Sequence, residues 1–302
     1  MTGPEEEYVE VGFIGLGAMG MPMARNLAER LRTRPRVYDK NPQALQAAAG
    51  WAQVCHSPRD VATPGGVVIS MLPADAHVNE VALGTDGLAA SPVAPFTYAD
   101  FSTISPETIK RVAGELEKRG VSTIGGAATL GVAAAEKGAL AVYVDGDEHV
   151  VNLNKPTFSA FAKSIFYIGQ IGQAKLIKLM NNYLVALNVA LTAEALDIGS
   201  KSGIDLKTIV ELLQKGSANS YALANHFGKA FLADDIGPGK FGTDYMVKDL
   251  NILIDYCRSA HAPLMMGATA VSLYRGASAS GYGKHYYPVI LKWLQEKTGA
   301  KS

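Results

Sequence analysis

VGFIGLGAMGMPMARNL, residues Val11 to Leu27, decides how the rest of the chain is read. An apolar, β-prone run from Tyr8 to Ile14 meets Gly15-Leu16-Gly17-Ala18-Met19-Gly20, and a helix-forming run follows at once. A strand, a tight glycine turn and a helix in that order let a bare backbone approach a pyrophosphate and aim helix N-terminal N–H groups at it. A lone G-x-G-x-x-G would be a weak signal, but here the flanking elements are the ones the chemistry needs. Gly15, Leu16, Gly17, Met19 and Gly20 are therefore the expected dinucleotide cradle. About 20 residues further on, a second strand-like run, Pro35 to Tyr38, ends at Asp39. A carboxylate there accepts hydrogen bonds from the adenine ribose and repels a 2′-phosphate. Asp39 points to NAD, and the neighbouring Lys40 leaves room for NADP.

Composition narrows the field further. A chain of 302 residues can bury a large core and is expected to form two domains. Its 28 basic and 28 acidic side chains cancel, so nothing suggests a nucleic-acid partner. Cys55 and Cys257 stand alone and offer neither a disulfide framework nor a metal site. The six histidines are scattered without metal-ligand spacing, and no metal is expected. The start, Met1 to Glu7, is acidic and reads as neither a secretory signal nor a transit peptide, so a reduced, cytoplasmic setting is expected. The most apolar long run, Leu176 to Ile198, is interrupted by Lys178, Asn181, Asn182, Asn188 and Glu194. It reads as a buried helix, with no membrane partner expected.

The first half of the chain alternates strand and helix. Gln43 to Ala49 reads as a helix, Val67 to Leu72 as an apolar strand ending at Pro73, Phe96 to Phe101 as a strand, and Ser105 to Arg119 as a helix with Pro106 in its first turn. Leu140 to Val144 is a later strand, followed by an Asp145-Gly146-Asp147 turn. Strands spaced by helices imply parallel βαβ units. After about residue 168 only helical periodicity is left, over Gln173–Lys201, Leu206–Leu213, Lys248–Ala260, Leu264–Arg275 and Val289–Lys297. The expected fold is thus α/β: a Rossmann-type, doubly wound parallel sheet over residues 1–170, and an all-helical domain over 171–302. A helix about 40 Å long joins them, at 1.5 Å per residue.

A nicotinamide cofactor needs a substrate beside it and a group that moves the hydroxyl proton. Two segments offer such groups, Asp100-Phe-Ser-Thr-Ile-Ser-Pro106 and Gly169 to Asn182. Lys178 and Asn182 lie one helical turn apart and share a face. A lysine among Leu, Ile and Met, close to a positive nicotinamide, would have its pKa lowered and could take the proton of a substrate hydroxyl. The asparagine amide could hold the same oxygen. On periodicity alone, Lys175 and Lys178 read first as a solvated stripe. Ser102 and Thr103 could donate to a carboxylate, whereas Ser105 reads as a helix cap. Lys248-Asp249 taken alone reads as an ordinary surface ion pair.

Four segments together carry a resemblance: GFIGLGAMGMPMARNL, DFSTISP, GQIGQAKLIKLMNN with the following AEAL, and the late MVKDL. In order and spacing, from about residue 10 to 255, they resemble the β-hydroxyacid dehydrogenases, the group of 3-hydroxyisobutyrate dehydrogenase, tartronate semialdehyde reductase and the glyoxylate/succinic semialdehyde reductases. The resemblance implies an oxidoreductase that interconverts a 3-hydroxy acid and its semialdehyde, with Lys178 as the catalytic lysine and Asn182 as the substrate-holding asparagine. It implies Leu72, Pro73, Thr103 and Lys248 along the cofactor, and Phe241 and Asp249 around the substrate, beside the Ser102 hydroxyl read above as a donor to the substrate carboxylate. It also implies a homodimer or tetramer assembled through the helical domain.

Departures from the family pattern bear on the substrate. Where the family has a Ser-Gly-Gly turn for the substrate carboxylate, this chain has Thr129-Leu130-Gly131. Thr129 keeps the hydroxyl, while Leu130 puts a bulky apolar group where the carboxylate would approach. That suggests a larger or more apolar substrate. Ala174 replaces a common glycine, and Tyr286-Tyr287-Pro288 stands where an aspartate before an aromatic-Ser pair is usual. An imine reductase shares the glycine turn and the helical second domain, but lacks a lysine at the place of Lys178. A decarboxylating sugar-phosphate dehydrogenase has a longer chain and an arginine cluster not found here. A non-catalytic relative would have lost the lysine.

Overall fold

The computed structural model describes residues 10–299. The acidic start, and Tyr8 and Val9 of the expected opening run, lie outside the described residues. The chain divides into two compact units between Lys178 and Leu179.

The first unit begins with β1 (Val11–Ile14), which leads through the glycine turn into α1 (Gly20–Arg30). Then follow β2 (Arg36–Tyr38), α2 (Pro42–Ala48), β3 (Gln53–Val54), β4 (Val67–Ser70), α3 (Asp75–Leu83), β5 (Thr97–Asp100) and α4 (Pro106–Glu117). The unit is completed by β6 (Ser122–Thr129), α5 (Gly131–Glu136), β7 (Leu140–Asp145), α6 (Glu148–Phe158) and β8 (Ala162–Gly169). All eight strands form one sheet in the order β3-β2-β1-β4-β5-β6-β7-β8. β1 and β4 are buried along their whole length, which is why they read as unbroken apolar runs. Met23, Leu27 and Phe158 pack on one side of the sheet, and Val78, Ile109, Val112 and Leu116 on the other, so it is doubly wound.

One pairing departs from the all-parallel expectation: β7 runs antiparallel to β6. The connection holds only the short α5, and a parallel return needs a crossover of a dozen or more residues. β8 then pairs parallel to β7. β6 itself, Ser-Thr-Ile-Gly-Gly-Ala-Ala-Thr, carries little strand signal. Its glycines are there for space: a Cβ on Gly126 would lie 2.7 Å from the Phe101 ring, and one on Gly125 would run into the Asp145 carboxylate.

α7 (Gln173–Lys201) has the bounds expected from periodicity. Its buried positions follow one stripe through Ala174, Lys175, Leu179, Asn182, Ala186, Val189, Ala190, Ala193 and Leu196. By length and composition α7 is long and apolar enough to cross a membrane. Here its stripe from Ala186 to Leu196 instead forms the spine of the second unit's core. That unit adds α8 (Leu206–Lys215), α9 (Thr243–Ser259), α10 (Gly267–Ala277) and α11 (Ile290–Thr298), with a π-helical stretch at Ala222–Ala230. α9 starts earlier than the expected Lys248, because Thr243 and Met246 continue its buried face.

Asp145, at the end of β7, is fully buried and accepts the Ala174 N–H at 2.6 Å, capping the first turn of α7. Burial raises its carboxyl to about 6, against the opposing pull of that N–H and of the Lys175 charge. The folded protein therefore keeps this proton up to about pH 6, whereas an unfolded aspartate gives it up near 4. In that window the folded state binds more protons, so this group's contribution to stability falls as pH rises through it. Asp145→Asn cannot titrate. Relative to that variant, the wild type is expected to lose on the order of 1–2 kcal/mol between pH 5 and 7.5. Denaturant unfolding of both proteins at the two pH values checks this, and a pH-independent difference would refute it.

Candidate active site

The glycine turn is built by close approach. Gly15 has φ 94° and its N–H donates to the Tyr38 carbonyl at 3.0 Å. A Cβ on Gly20 would come within 1.8 Å of the Gly15 carbonyl oxygen, so the turn and α1 can meet only through a glycine. A Cβ on Gly17 would meet nothing, leaving open space over the turn. α1, with Met19 at its N-cap, has no side-chain cap and no acid in its first turn. An uncapped helix N-terminus beside a bare turn fits a pyrophosphate.

Asp39 braces the same turn. Its Oδ2 accepts the Leu16 N–H at 2.6 Å, and its Oδ1 accepts the Asn41 N–H at 2.7 Å. A carboxylate has about four lone-pair sites, so capacity for ribose hydroxyls is left. Lys40 is paired with Glu80 at 2.6 and 2.7 Å on the surface, which raises its ammonium pKa further.

The carboxyl ends of β4 and β5 share a buried polar network. Ser70 Oγ and Ser102 Oγ donate to Asp100 Oδ1 at 2.7 and 2.6 Å, and Tyr98 hydroxyl bonds Ser70 Oγ at 2.8 Å. Since Ser70 donates to the carboxylate, Tyr98 is the donor to Ser70. Ser102 Oγ in turn accepts the Leu72 N–H at 2.8 Å. This corrects the substrate role expected for Ser102: its hydroxyl is fully buried and taken up on both sides. What it does is tie the Leu72-Pro73 segment to the segment leading into Thr103.

Lys175 completes the network. It is 0 % exposed, and its Nζ reaches Asp100 Oδ2 at 2.6 Å and the carbonyls of Asp100, Ser102 and Gly126 at 2.7, 2.8 and 2.6 Å. The solvated-stripe reading is therefore wrong for this residue. Lys178, three residues on, is partly buried on the same helix, with Asn182 one turn beyond it.

At the end of β6, Thr129 leads into Leu130 at φ 80° and Gly131 at φ 73°. A leucine in the left-handed region costs about 1–2 kcal/mol. It is also 55 % exposed, so packing does not hold it there.

The second unit gathers its own set. Asn182 Nδ2 donates to Asp249 Oδ2 at 2.5 Å, Asn181 Nδ2 donates to Asn182 Oδ1 at 3.1 Å, and Lys248 Nζ stands 3.1 Å from Asp249 Oδ1. Asp249 is 1 % exposed, so Lys248-Asp249 is not the surface pair that the sequence alone suggested. Phe241 packs edge-on against Tyr287, with ring centroids 5.8 Å apart. Tyr287 and Tyr286 hydroxyls bond the two nitrogens of His226 at 2.8 and 2.6 Å. Burial lowers the His226 pKa to about 4, so the ring is neutral at neutral pH, one nitrogen donating and the other accepting. No sequence signal picked out His226; its partner is 60 residues away. Among the described residues no group of three or more His, Cys, Asp or Glu is placed to hold a metal.

Two family models cover the chain. Residues 10–169 match the NAD binding domain of 6-phosphogluconate dehydrogenase, and 172–294 the NAD-binding domain of NADP-dependent 3-hydroxyisobutyrate dehydrogenase. The 2-(hydroxymethyl)glutarate dehydrogenase of Eubacterium barkeri is 30% identical over 97% of each chain. The NAD-dependent L-serine dehydrogenase of Pseudomonas aeruginosa is 32% identical over 96% of this chain and 99% of its own. The crystal structure of Mycobacterium tuberculosis 3-hydroxyisobutyrate dehydrogenase with L-serine superposes with a TM-score of 0.86 at 27% identity, over 95% of this chain and 99% of that one. With a glycine turn built for a dinucleotide and matches along nearly its whole length, the chain belongs to the β-hydroxyacid dehydrogenases, the NAD(P)-dependent oxidoreductases that include 3-hydroxyisobutyrate dehydrogenase.

Proposed function

We propose that this protein interconverts a 3-hydroxy acid and its semialdehyde with NAD, and that Lys178 is the general acid/base. The observation that carries the reading is the seating of α7. Its first turn is bonded through Ala174 and Lys175 to the ends of β7 and β5, and Lys178 and Asn182 follow within two turns. Carboxyl ends of strands in such sheets are where a dinucleotide and its substrate bind. A bound nicotinamide supplies the hydride acceptor. As the carbinol carbon gives up its hydride, the Lys178 amine takes the hydroxyl proton and the C–O bond becomes a carbonyl. In reduction the ammonium returns that proton. Asn182, held by Asp249, orients the reacting oxygen, and the Thr129 hydroxyl receives the substrate carboxylate.

Asp39 supports NAD over NADP: a carboxylate at the end of the second strand repels a 2′-phosphate, and the adjoining Lys40 is paired with Glu80. Leu130 supports a substrate with an apolar C2 substituent. An exposed leucine held at positive φ at the end of β6 presents hydrocarbon where a glycine would leave room for a polar group.

Three measurements test this reading. Lys178→Ala is expected to lower kcat by about 10²–10⁴ while NAD still binds; wild-type turnover in that variant removes the mechanism. NAD is expected to be favoured over NADP in kcat/KM by at least about tenfold, or roughly 1.4 kcal/mol. Asp39→Asn, which keeps an acceptor for the Leu16 N–H, should narrow the gap, and a wild type that prefers NADP refutes the assignment. Leu130→Gly should leave stability unchanged or raise it by up to about 1 kcal/mol, since relief of the left-handed leucine offsets the added chain entropy. It should also shift the kcat/KM ratio of a C2-alkyl 3-hydroxy acid to 3-hydroxypropionate by about tenfold toward the latter. An unmoved ratio argues against a specificity role for Leu130.

A further inference from the structure

We propose that the buried Lys175–Asp100 pair is a positioning device: it sets the rotation of α7 about its axis and the path of the Ser102-Thr103 segment, so that Lys178 is presented in register to the reacting hydroxyl. The inference rests on the reading of Lys178 as the proton-transfer group.

The geometry is specific. One ammonium, with three protons, is shared among four acceptors from separate pieces of chain: the Asp100 carboxylate and carbonyl at the end of β5, the Ser102 carbonyl just beyond, and the Gly126 carbonyl within β6. The Asp145 cap fixes the α7 backbone at one end only, through the Ala174 N–H and the Gly172 backbone beside it. A helix held at one end can still turn about its axis, and each residue of slip rotates it by about 100°. Bonds from Lys175 to the end of β5 and to the middle of β6 remove that freedom. Lys178 lies three residues further along, so its direction is inherited from Lys175. The same ammonium holds the Ser102 carbonyl and therefore the start of Thr103, while Ser102 Oγ holds Leu72. One buried charge thus aligns the helix carrying the amine with two segments expected to line the nicotinamide.

Stability alone is a poor reason to keep such a pair. Well-packed apolar side chains of similar volume often serve as well or better. What an apolar replacement lacks is direction, because hydrocarbon contacts do not distinguish one helix rotation from another as four hydrogen bonds do.

The test is a double-mutant cycle on the full-length protein. Lys175→Met/Asp100→Asn is made in the wild-type and Lys178→Ala backgrounds. Circular dichroism, melting curves and the NAD dissociation constant establish that each variant is folded and binds cofactor. Methylamine at one fixed concentration supplies an untethered base to the Lys178→Ala proteins, so that turnover is measurable. In the wild-type background kcat is expected to fall about a hundredfold, the cost of a displacement of about 1 Å in a reacting group. In the Lys178→Ala background with methylamine, the same change should cost no more than about tenfold, because a diffusing amine does not depend on the helix and only the shift of the Ser102-Thr103 segment is left. A comparable loss in both backgrounds, or no loss in the wild-type background, overturns the proposal. If Lys178→Ala turns over normally without methylamine, the catalytic reading of Lys178 has failed and takes this proposal with it. Should the double variant not fold, Asp100→Asn alone, which leaves the ammonium its three carbonyls, is put through the same cycle with the same criteria.

Discussion

Lys175 and Asp100 form an ion pair with no solvent contact on either side chain, and the carboxyl ends of β4 and β5 and the middle of β6 are organised around it. Removing two charges from water is costly, and the cost is met only when each charge finds close partners. Here each does. The carboxylate takes two hydroxyls and the ammonium, and the ammonium takes three carbonyls besides the carboxylate. The second hydrogen-bond layer, Tyr98 behind Ser70 and the Leu72 N–H behind Ser102, leaves the carboxylate's hydroxyl partners satisfied in their turn. Such a network tolerates few alternative arrangements, because any shift of one member orphans another in a low-dielectric interior.

The same principle of direct bracing recurs at the glycine turn. Both oxygens of Asp39 hold backbone N–H groups, one of them in the turn itself. The residue proposed to discriminate between cofactors thereby also shapes the glycine turn. In the second unit the Asn182–Asp249–Lys248 group and the Tyr286–His226–Tyr287 triad use hydrogen bonds in a similar way, to fix side chains that have few rotamer constraints of their own. Buried and neutral, His226 can serve as a directional link between the two tyrosines, donating at one nitrogen and accepting at the other.

The substrate end shows a different balance. Leu130 occupies a left-handed backbone position without being packed there, and next to it Gly131 adopts a similar φ without strain. A sequence that accepts the penalty of a branched side chain at such a turn concentrates it in one residue at the end of a strand where ligands bind in this class of sheet. Strain of this kind is a local property of φ and of side-chain shape, so it can be altered by one substitution without disturbing the core.

Much of this was legible in the chain. The glycine turn, the apolar runs of β1 and β4, the full extent of α7 and the change from strands to helices all follow from local rules: glycine where a backbone must come close, unbroken apolar runs where both faces are covered, and a 3.6-residue period where one face is. Even Lys175 left a trace, since it falls in register with Leu179, Asn182 and Ala186 on the buried stripe, but a charged residue in that register reads as solvated until its partner is known. Its partner lies 75 residues away, as the partner of His226 lies 60 away. β6 carries no strand pattern because its glycines answer to Phe101 and Asp145, which only the folded sheet brings against them, and the reversal of β7 follows from a connection too short to cross over. Sequence by itself determined the elements whose stability is local or periodic. Tertiary structure decided which polar groups are buried together, because that depends on contacts between distant segments and on the penalty for leaving any of those groups without a partner.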